Sequence, residues 1–398
     1  MTRLSISFLA GTPFSFYPGR FQMLAIELAA RGHEVSYFSQ PNSLRVRAER
    51  YRQRARFHRT TTGKIDDPRS YRPEARVHEH ELLLPLPFAR YQPIERANAR
   101  LLGAQVDVAL RLAPKPRVAV VFMPEWLVRL GRDRFDGIVY DVPDDLRLMT
   151  TLESPLAEQA HLASIAAADV VTVTANPTLH AALQPLVGTT PLVELGNGVD
   201  FPFFRSHSAA DIQAILPTIT GPTVGFVGAI HHWVDIALLC EVARRLPQVR
   251  FALVGNLDAT STAAVAAQGA PVNLLLLGRQ PKGLVPALVA RFDVALIPFH
   301  AGEIADTTDP IKVYEYFAMG RPVVATPMPS LQAFAQQGLL RLASGASEFA
   351  AAIEQTLANP GDSDQRIALA SQASWAARAV EMENVLLSAL ARHQRPRH

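Results

Sequence analysis

Short runs rich in Val, Ile, Leu and Phe alternate with longer stretches whose apolar positions recur at helical spacing along most of the chain. Parallel α/β sheets produce that alternation, because each buried strand is followed by an amphipathic crossover helix. In the first half the pattern predicts strands at 4–9, 34–38, 118–122, 137–140, 170–174 and 191–195. A helix at 21–31 is predicted between the first two, stopped by Gly32. In the second half strands are predicted at 223–227, 250–254, 272–277, 294–298 and 322–325, separated by helices such as 234–245 and 311–319. Each half therefore reads as one nucleotide-binding-type sheet. The break falls near 196–222, where Asn197-Gly198 reads as a turn dipeptide and Pro202, Pro217 and Pro222 punctuate the chain. A last helix at 374–392 follows the second sheet, with residues 392–398 expected to fray. The domain division expected from this pattern is 1–196, 197–373 and a closing segment 374–398.

Composition supports two large domains and excludes disordered and fibrous classes: 398 residues, 48% hydrophobic and 19% charged, leave enough apolar material for a sizeable core in each half. Cys240 is the one cysteine, so an internal disulfide and a cysteine-based metal site are excluded. The opening MTRLSISFLAGTPFSFYPG is broken by Gly11, Thr12 and Pro13 and reads as a first strand ending in a glycine loop. The long uncharged runs, 170–193 and 259–278, carry Asn, Gly, Pro, Thr, Ser or Gln and read as strand–loop–helix units, not membrane spans. A cytoplasmic protein is expected.

The net charge of +3 conceals an asymmetry. Residues 1–150 carry 24 basic against 16 acidic side chains, whereas residues 151–398 carry 15 against 20. From Arg45 to Arg76 there are 11 basic and 4 acidic residues. Each basic group near an anionic leaflet contributes about 1 kcal/mol, so this stretch suits docking at the inner face of a membrane. A solvated loop and helix fits it equally. Nucleic acid is not expected, since aromatics are not interleaved and no nucleic-acid motif follows.

The chemistry is concentrated in 306–326, DTTDPIKVYEYFAMGRPVVAT. Asp309-Pro310 opens a helix, Lys312 and Glu315 share one face near its N-terminus, and Gly320 ends it. A helix N-terminus attracts phosphate through its free N–H groups and dipole. Lysine beside it suits a diphosphate, and a nearby glutamate can accept hydrogen bonds from a ribose diol. From spacing alone an ordinary capped helix with a surface i,i+3 pair is the favoured reading, because such pairs are common. Other chemistries lack support. The first loop has no G-x-G-x-x-G, which removes the main sign of a nicotinamide or flavin enzyme. The 12 histidines show no H-E-x-x-H spacing, and no serine sits in G-x-S-x-G.

The 306–326 stretch resembles the donor-site segment of glycosyltransferases with the two-Rossmann GT-B architecture. Three further segments match that family in order: Gly225–Ile230 (GFVGAI), Leu276-Leu277-Gly278-Arg279, and the N-G-V-D element at Asn197–Asp200. The Ser374-Trp375 helix resembles the one that crosses back onto the first domain. Within the class the chain resembles the teichuronic-acid type of polysaccharide-assembly enzyme and, more distantly, the xanthan-type glucuronosyltransferase, through Ile138–Asp145 (IVYDVPDD), Gly228–Asp235 (GAIHHWVD), and Glu303 with Lys312 and Glu315.

The resemblance implies an α/β GT-B fold, with two Rossmann-like domains facing across a cleft. The first domain would bind the acceptor and the second the nucleotide sugar. It implies a hexosyl- or glycuronosyltransferase. A UDP- or GDP-linked sugar would pass to a hydroxyl of a glycan or lipid-linked acceptor, with no bound metal and no other cofactor. Lys312 would hold the diphosphate and Glu315 the ribose. Arg279 would meet the base, and Glu303 would lie near the donor sugar. Gly228, His231 and Trp233 would line the glycine loop, and Gly11, Thr12, Arg20 and Asp145 the acceptor side; a place for Arg20 on the surface of the first helix fits equally. Asp144 matches the base position in the pattern Tyr-x-x-x-Asp, where a carboxylate takes the acceptor hydroxyl's proton. Helix capping before Leu146 accounts for Asp144 and Asp145 as well.

Two departures from the family pattern stand out. Thr307 occupies the position eight before Glu315 where retaining members carry a second glutamate. His231, His232 and Trp233 stand where many relatives have an Arg and a Lys. A GT-B epimerase or phosphorylase, or a degenerate nucleotide-sugar-binding subunit, stays open at this point.

Overall fold

The computed structural model describes residues 2–14, 19–39, 74–83, 92–145, 154–206, 212–216 and 221–393. The chain forms two compact units. The first comprises Met1–Thr174, Leu179–Leu195 and Ala376–His398, and the second Ala175–Thr178 and Gly196–Trp375.

The first unit is a parallel sheet of β1 (Ser5–Leu9), β2 (Glu34–Phe38), β3 (Val77–His80), β4 (Arg117–Val121), β5 (Gly137–Val142), β6 (Val170–Val173) and β7 (Leu192–Glu194). Its order is β3-β2-β1-β4-β5-β6-β7. The crossovers carry α1 (Arg20–Ala30), α2 (Gln92–Leu110), α3 (Glu125–Leu130), α4 (Ser154–Ala167) and α5 (Pro177–Leu183). The central strands β1, β5 and β6 are buried at every position. Helices on both faces leave such strands no polar side, which is why they read as continuous apolar runs.

The second unit repeats the plan with β8 (Thr223–Val227), β9 (Arg250–Val254), β10 (Leu274–Leu276), β11 (Val294–Ile297), β12 (Val323–Ala325) and β13 (Leu340–Leu342), in the order β10-β9-β8-β11-β12-β13. Its helices are α6 (Phe201–Ser206), α7 (Ile236–Arg245), α8 (Ala259–Gln268), α9 (Val285–Ala290), α10 (Glu303–Thr307), α11 (Ile311–Ala318), α12 (Gln332–Gln336), α13 (Gly345–Ala358) and α14 (Ser363–Gln372). In this doubly wound order the chain reverses direction between β8 and β11, and ligands of such sheets bind beyond the strand carboxyl ends at that switch point. The corresponding point of the first unit lies between β1 and β4.

The last helix, α15 (Trp375–His393), lies in the first unit from Ala376 onward. It packs closely on β5: a Cβ at Gly137 would sit 3.2 Å from Leu390 N. Glu383 anchors it by accepting from Arg31 Nε at 2.7 Å and by facing His33 Nε2 at 3.4 Å.

Every predicted strand is present within a residue or two at its ends. Pattern reasoning missed β3 and β13. β3 reads Val-His-Glu-His, without an apolar run, and β13 is only three residues long. Asn197-Gly198 is not a turn. Val199 lies in a parallel bridge with Ser374, Val199 N donates to Ala373 O at 3.1 Å, and a Cβ at Gly198 would meet Ala373 O at 2.8 Å. Close backbone approach, not reversal, selects glycine there.

Candidate active site

The second unit is built around the loops beyond β8 and β11. β8 delivers Gly228, whose missing Cβ leaves room for its neighbours: a Cβ would stand 3.2 Å from Lys312 Cε and 3.0 Å from Phe226 Cζ. β9 is followed by Gly255, where a Cβ would lie 1.7 Å from Gly228 O. Two backbones thus meet side by side at the strand ends, an approach that any larger residue at 255 would prevent. Gly228 N donates to Val254 O at 2.9 Å and Gly255 N to Gly278 O at 2.9 Å, so the ends of β8, β9 and β10 are tied together.

α11 starts with Pro310 as its cap and uses no capping side chain. Asp309 is instead buried and serves as a hub. Its Oδ2 accepts Asn197 N at 2.8 Å, its Oδ1 accepts Tyr314 Oη at 2.9 Å, and its carbonyl accepts Asn197 Nδ2 at 2.7 Å. Asn176 Nδ2 donates to Asp306 O and Thr308 O, both at 3.1 Å, and Ser330 Oγ to Thr308 O at 2.8 Å. The turn preceding α11 is therefore fixed from several sides, which holds the helix N-terminus in place. Tyr316 Oη accepts Val227 N at 3.0 Å, docking α11 on β8; burial raises this phenol above the ordinary range.

On this platform Lys312 Nζ donates to Glu315 Oε2 at 2.6 Å, with side-chain exposures of 18% and 6%. The spacing reading is met as a contact: lysine and glutamate form one partly buried pair on the first turns of α11. Thr307 is buried at the end of α10, and the backbone of Glu303 opens that helix. Arg279 is exposed after β10. His231 and Trp233 are half-buried on the loop after β8, ring centroids 4.7 Å apart. Structure thus gathers Gly228, Lys312 and Glu315 directly, with His231 and Trp233 on the loop after β8, Arg279 after β10, and Glu303 and Thr307 at the two ends of α10. Two members escaped sequence reasoning. Asp235 was absorbed in a predicted helix but is its N-cap, accepting Leu238 N at 2.8 Å. His300 sits beyond β11 with Nδ1 3.3 Å from Asp235 Oδ2.

In the first unit, Gly11 and Thr12 follow β1. A Cβ at Gly11 would lie 2.7 Å from Met123 Sδ, and Thr12 O accepts Tyr37 Oη at 3.1 Å. Arg20, at the start of α1, is 5% exposed, so it does not sit on the helix surface. It donates to Asp141 through Nε at 2.7 Å and Nη2 at 2.8 Å, and Thr172 Oγ1 donates to the same carboxylate at 2.6 Å. Asp144 and Asp145 follow β5 and are half-buried. Beside them Tyr140 Oη lies 2.8 Å from His161 Nδ1. Burial lowers the His161 pKa, opposed by the charges of Asp145 and Glu158. The capping alternative for Asp144 and Asp145 concerns 146–153, outside the described residues. So does most of the basic stretch from Arg45 to Arg76, of which 74–76 are described. Among the described residues no helix is long and apolar enough to cross a membrane.

Against known proteins, residues 221–359 match the family Glycosyl transferases group 1. The second unit therefore contains a group 1 glycosyl transferase domain. A curated relative, the proposed teichuronic acid biosynthesis glycosyltransferase TuaH of Bacillus subtilis (strain 168), is 25% identical over 241 residues, 57% of this chain. The chain spans 60% of that relative's length. Among solved structures, sucrose-phosphate synthase from Thermosynechococcus elongatus superposes with a TM-score of 0.71 at 17% identity, covering 98% of this chain and 100% of that one. Anabaena HepE in complex with UDP gives 0.68 at 15% identity, covering 97% and 100%. A glycosyltransferase from Rickettsia africae gives 0.69 at 10%, covering 98% and 99%. These likenesses show the fold: two parallel-sheet α/β domains of GT-B type. The expected family resemblance and fold class are met, and Gly228, Arg279, Glu303, Lys312 and Glu315 all fall inside the group 1 domain.

Proposed function

We infer that the protein is a nucleotide-sugar-dependent glycosyltransferase of polysaccharide or glycoconjugate assembly, with its donor held by the second unit. One observation carries this reading: the Lys312–Glu315 pair stands at the fixed N-terminus of α11, against the bare Gly228, within a group 1 domain. A diphosphate there meets free N–H groups, a helix dipole and an ammonium group. Its arrival would release Lys312 from Glu315, whose carboxylate then accepts from the ribose. HepE, a structural neighbour, was captured with UDP and with UDP-glucose, which favours a uridine nucleotide. TuaH supports the polysaccharide setting.

Asp144 is the candidate base. As the sugar transfers, it takes the proton from the acceptor hydroxyl while the nucleotide diphosphate leaves. A hexosyl or glycuronosyl group is the expected cargo and a glycan or lipid-linked hydroxyl the expected acceptor. The site is read as working without a metal, the leaving charge being met by Lys312 and backbone N–H groups. Attachment of the basic stretch to an anionic membrane belongs to the same proposal.

Calorimetry with UDP and GDP tests the donor site. Lys312→Ala removes a charge-assisted bond worth about 1.5–3 kcal/mol, so the tighter-binding nucleotide loses about 10- to 100-fold in affinity. Unchanged binding in that variant would refute the assignment.

A further inference from the structure

Around the glycine loop the group 1 domain holds ionisable side chains, among them Asp235, Asp258 and His300, that the donor reading leaves unused. Asp235 and His300 lie at the switch point, on the loops beyond the adjacent strands β8 and β11. Those loops are joined: Val234 and Phe299 form an antiparallel bridge, His300 N donates to Trp233 O at 2.8 Å, and Asp235 N donates to Pro298 O at 2.8 Å. His300 is thereby fixed beside the 231–235 loop with its side chain 53% exposed. Its Nδ1 faces Asp235 Oδ2 at 3.3 Å, while Asp235 Oδ1 is occupied by Leu238 N. His231 and His232 flank Trp233, with ring centroids 4.7 and 5.1 Å away. His232 Nδ1 lies 3.8 Å from Asp258 Oδ2, which also accepts His232 N at 3.0 Å.

The charges around these rings set the problem. Asp235 places a carboxylate beside His300, and Asp258 places one beside His232. A diphosphate brings about two to three negative charges, more than the single ammonium group of Lys312 offsets. Imidazole is the side chain that gains charge in the physiological range, and as a cation it donates from both nitrogens. Asp235 can hold the Nδ1–H of His300 and leave Nε2–H for a ligand oxygen.

We propose that His300, positioned by Asp235 and accompanied by His231, binds the donor diphosphate as an imidazolium, so nucleotide binding strengthens as pH falls. This rests on the donor-site reading above. The sign of the pH dependence is diagnostic. Free UDP loses its last phosphate proton in the same range, so a site made only of lysine and backbone N–H groups would bind it more tightly as pH rises. An imidazolium platform reverses that trend.

The test is calorimetry of the full chain with UDP and GDP at about pH 6 and about pH 8, on either side of the imidazole range. The expected dissociation constant of the tighter nucleotide rises about tenfold between them. His300→Gln abolishes most of that change. His300→Arg restores tight binding at the higher pH and flattens the dependence. Affinity that increases with pH in the unaltered protein, or a His300→Gln variant that behaves like it, overturns the imidazolium assignment while leaving the donor site standing. Absence of binding by either nucleotide at both pH values defeats the donor reading and this inference together.

Discussion

Asp144 and Asp141 lie three residues apart and have opposite surroundings. Asp141 is fully buried and bound to Arg20 and Thr172. Asp144 is half-buried beyond the end of β5. A carboxylate fixed by a buried guanidinium is committed to structure; one at a strand carboxyl end is placed where ligands of such sheets bind. Asp144→Asn is accordingly expected to cut glycosyl transfer by 10²–10⁴-fold, the usual worth of a general base, with nucleotide binding unchanged. Product formation by mass spectrometry alongside calorimetry checks both halves. Asp141→Asn is expected to destabilise the first unit by about 3 kcal/mol, because it leaves the Arg20 charge buried and uncompensated. Urea unfolding with the midpoint unchanged would show that Arg20 and Asp141 do not act as a pair.

At the scale of elements, the close approach of the parallel neighbours β8 and β9 at their carboxyl ends decides the shape of the loop after β8. Gly255→Ala would put a methyl group 1.7 Å from Gly228 O, so the backbone must move. Such overpacking costs about 1–3 kcal/mol, and here the displaced atoms belong to the loop of the proposed donor site. Nucleotide affinity should therefore drop along with stability, whereas a binding isotherm matching that of the unaltered chain would show that the loop does not hold the ligand.

These elements also show what the sequence could and could not disclose. β8, β9 and β11 were legible because both faces are buried, which leaves continuous apolar runs bounded by glycine or proline. Lys312 and Glu315 were legible because an i,i+3 pair is written in the spacing. Asp309 was legible, with Pro310, as the opening of α11, but not as a hub. Its Asp-Pro context suggests a helix cap, while its real partners, Asn197 and Tyr314, reach it from 112 and 5 residues away. His300 and Asp235 are 65 residues apart in numbering and meet only because β8 and β11 are neighbours, a pairing that no local pattern encodes.

At the scale of the whole molecule, His33, His80 and His161 are expected to contribute to the response to acid. Burial lowers the pKa of His33, His80 and His161 below 6.5, with Glu383 only partly offsetting the effect at His33. A depressed histidine pKa means that the unfolded chain binds more protons than the folded one. Their contribution is complete above the ordinary value of 6.5 and is lost as pH falls below it. Denaturation midpoints should decline from about pH 7 to about pH 5, and part of the loss should come from the anchoring of α15, where His33 faces Glu383. A flat profile across that range would contradict the burial of these rings.

The account depends most on where the nucleotide diphosphate sits. A crystal structure of the UDP complex measures this directly. The predicted result is a β-phosphate within hydrogen-bonding distance of Lys312 Nζ and of the backbone beside Gly228, with the ribose hydroxyls on Glu315. A nucleotide bound elsewhere, with Lys312 and Glu315 still joined to each other, would contradict it.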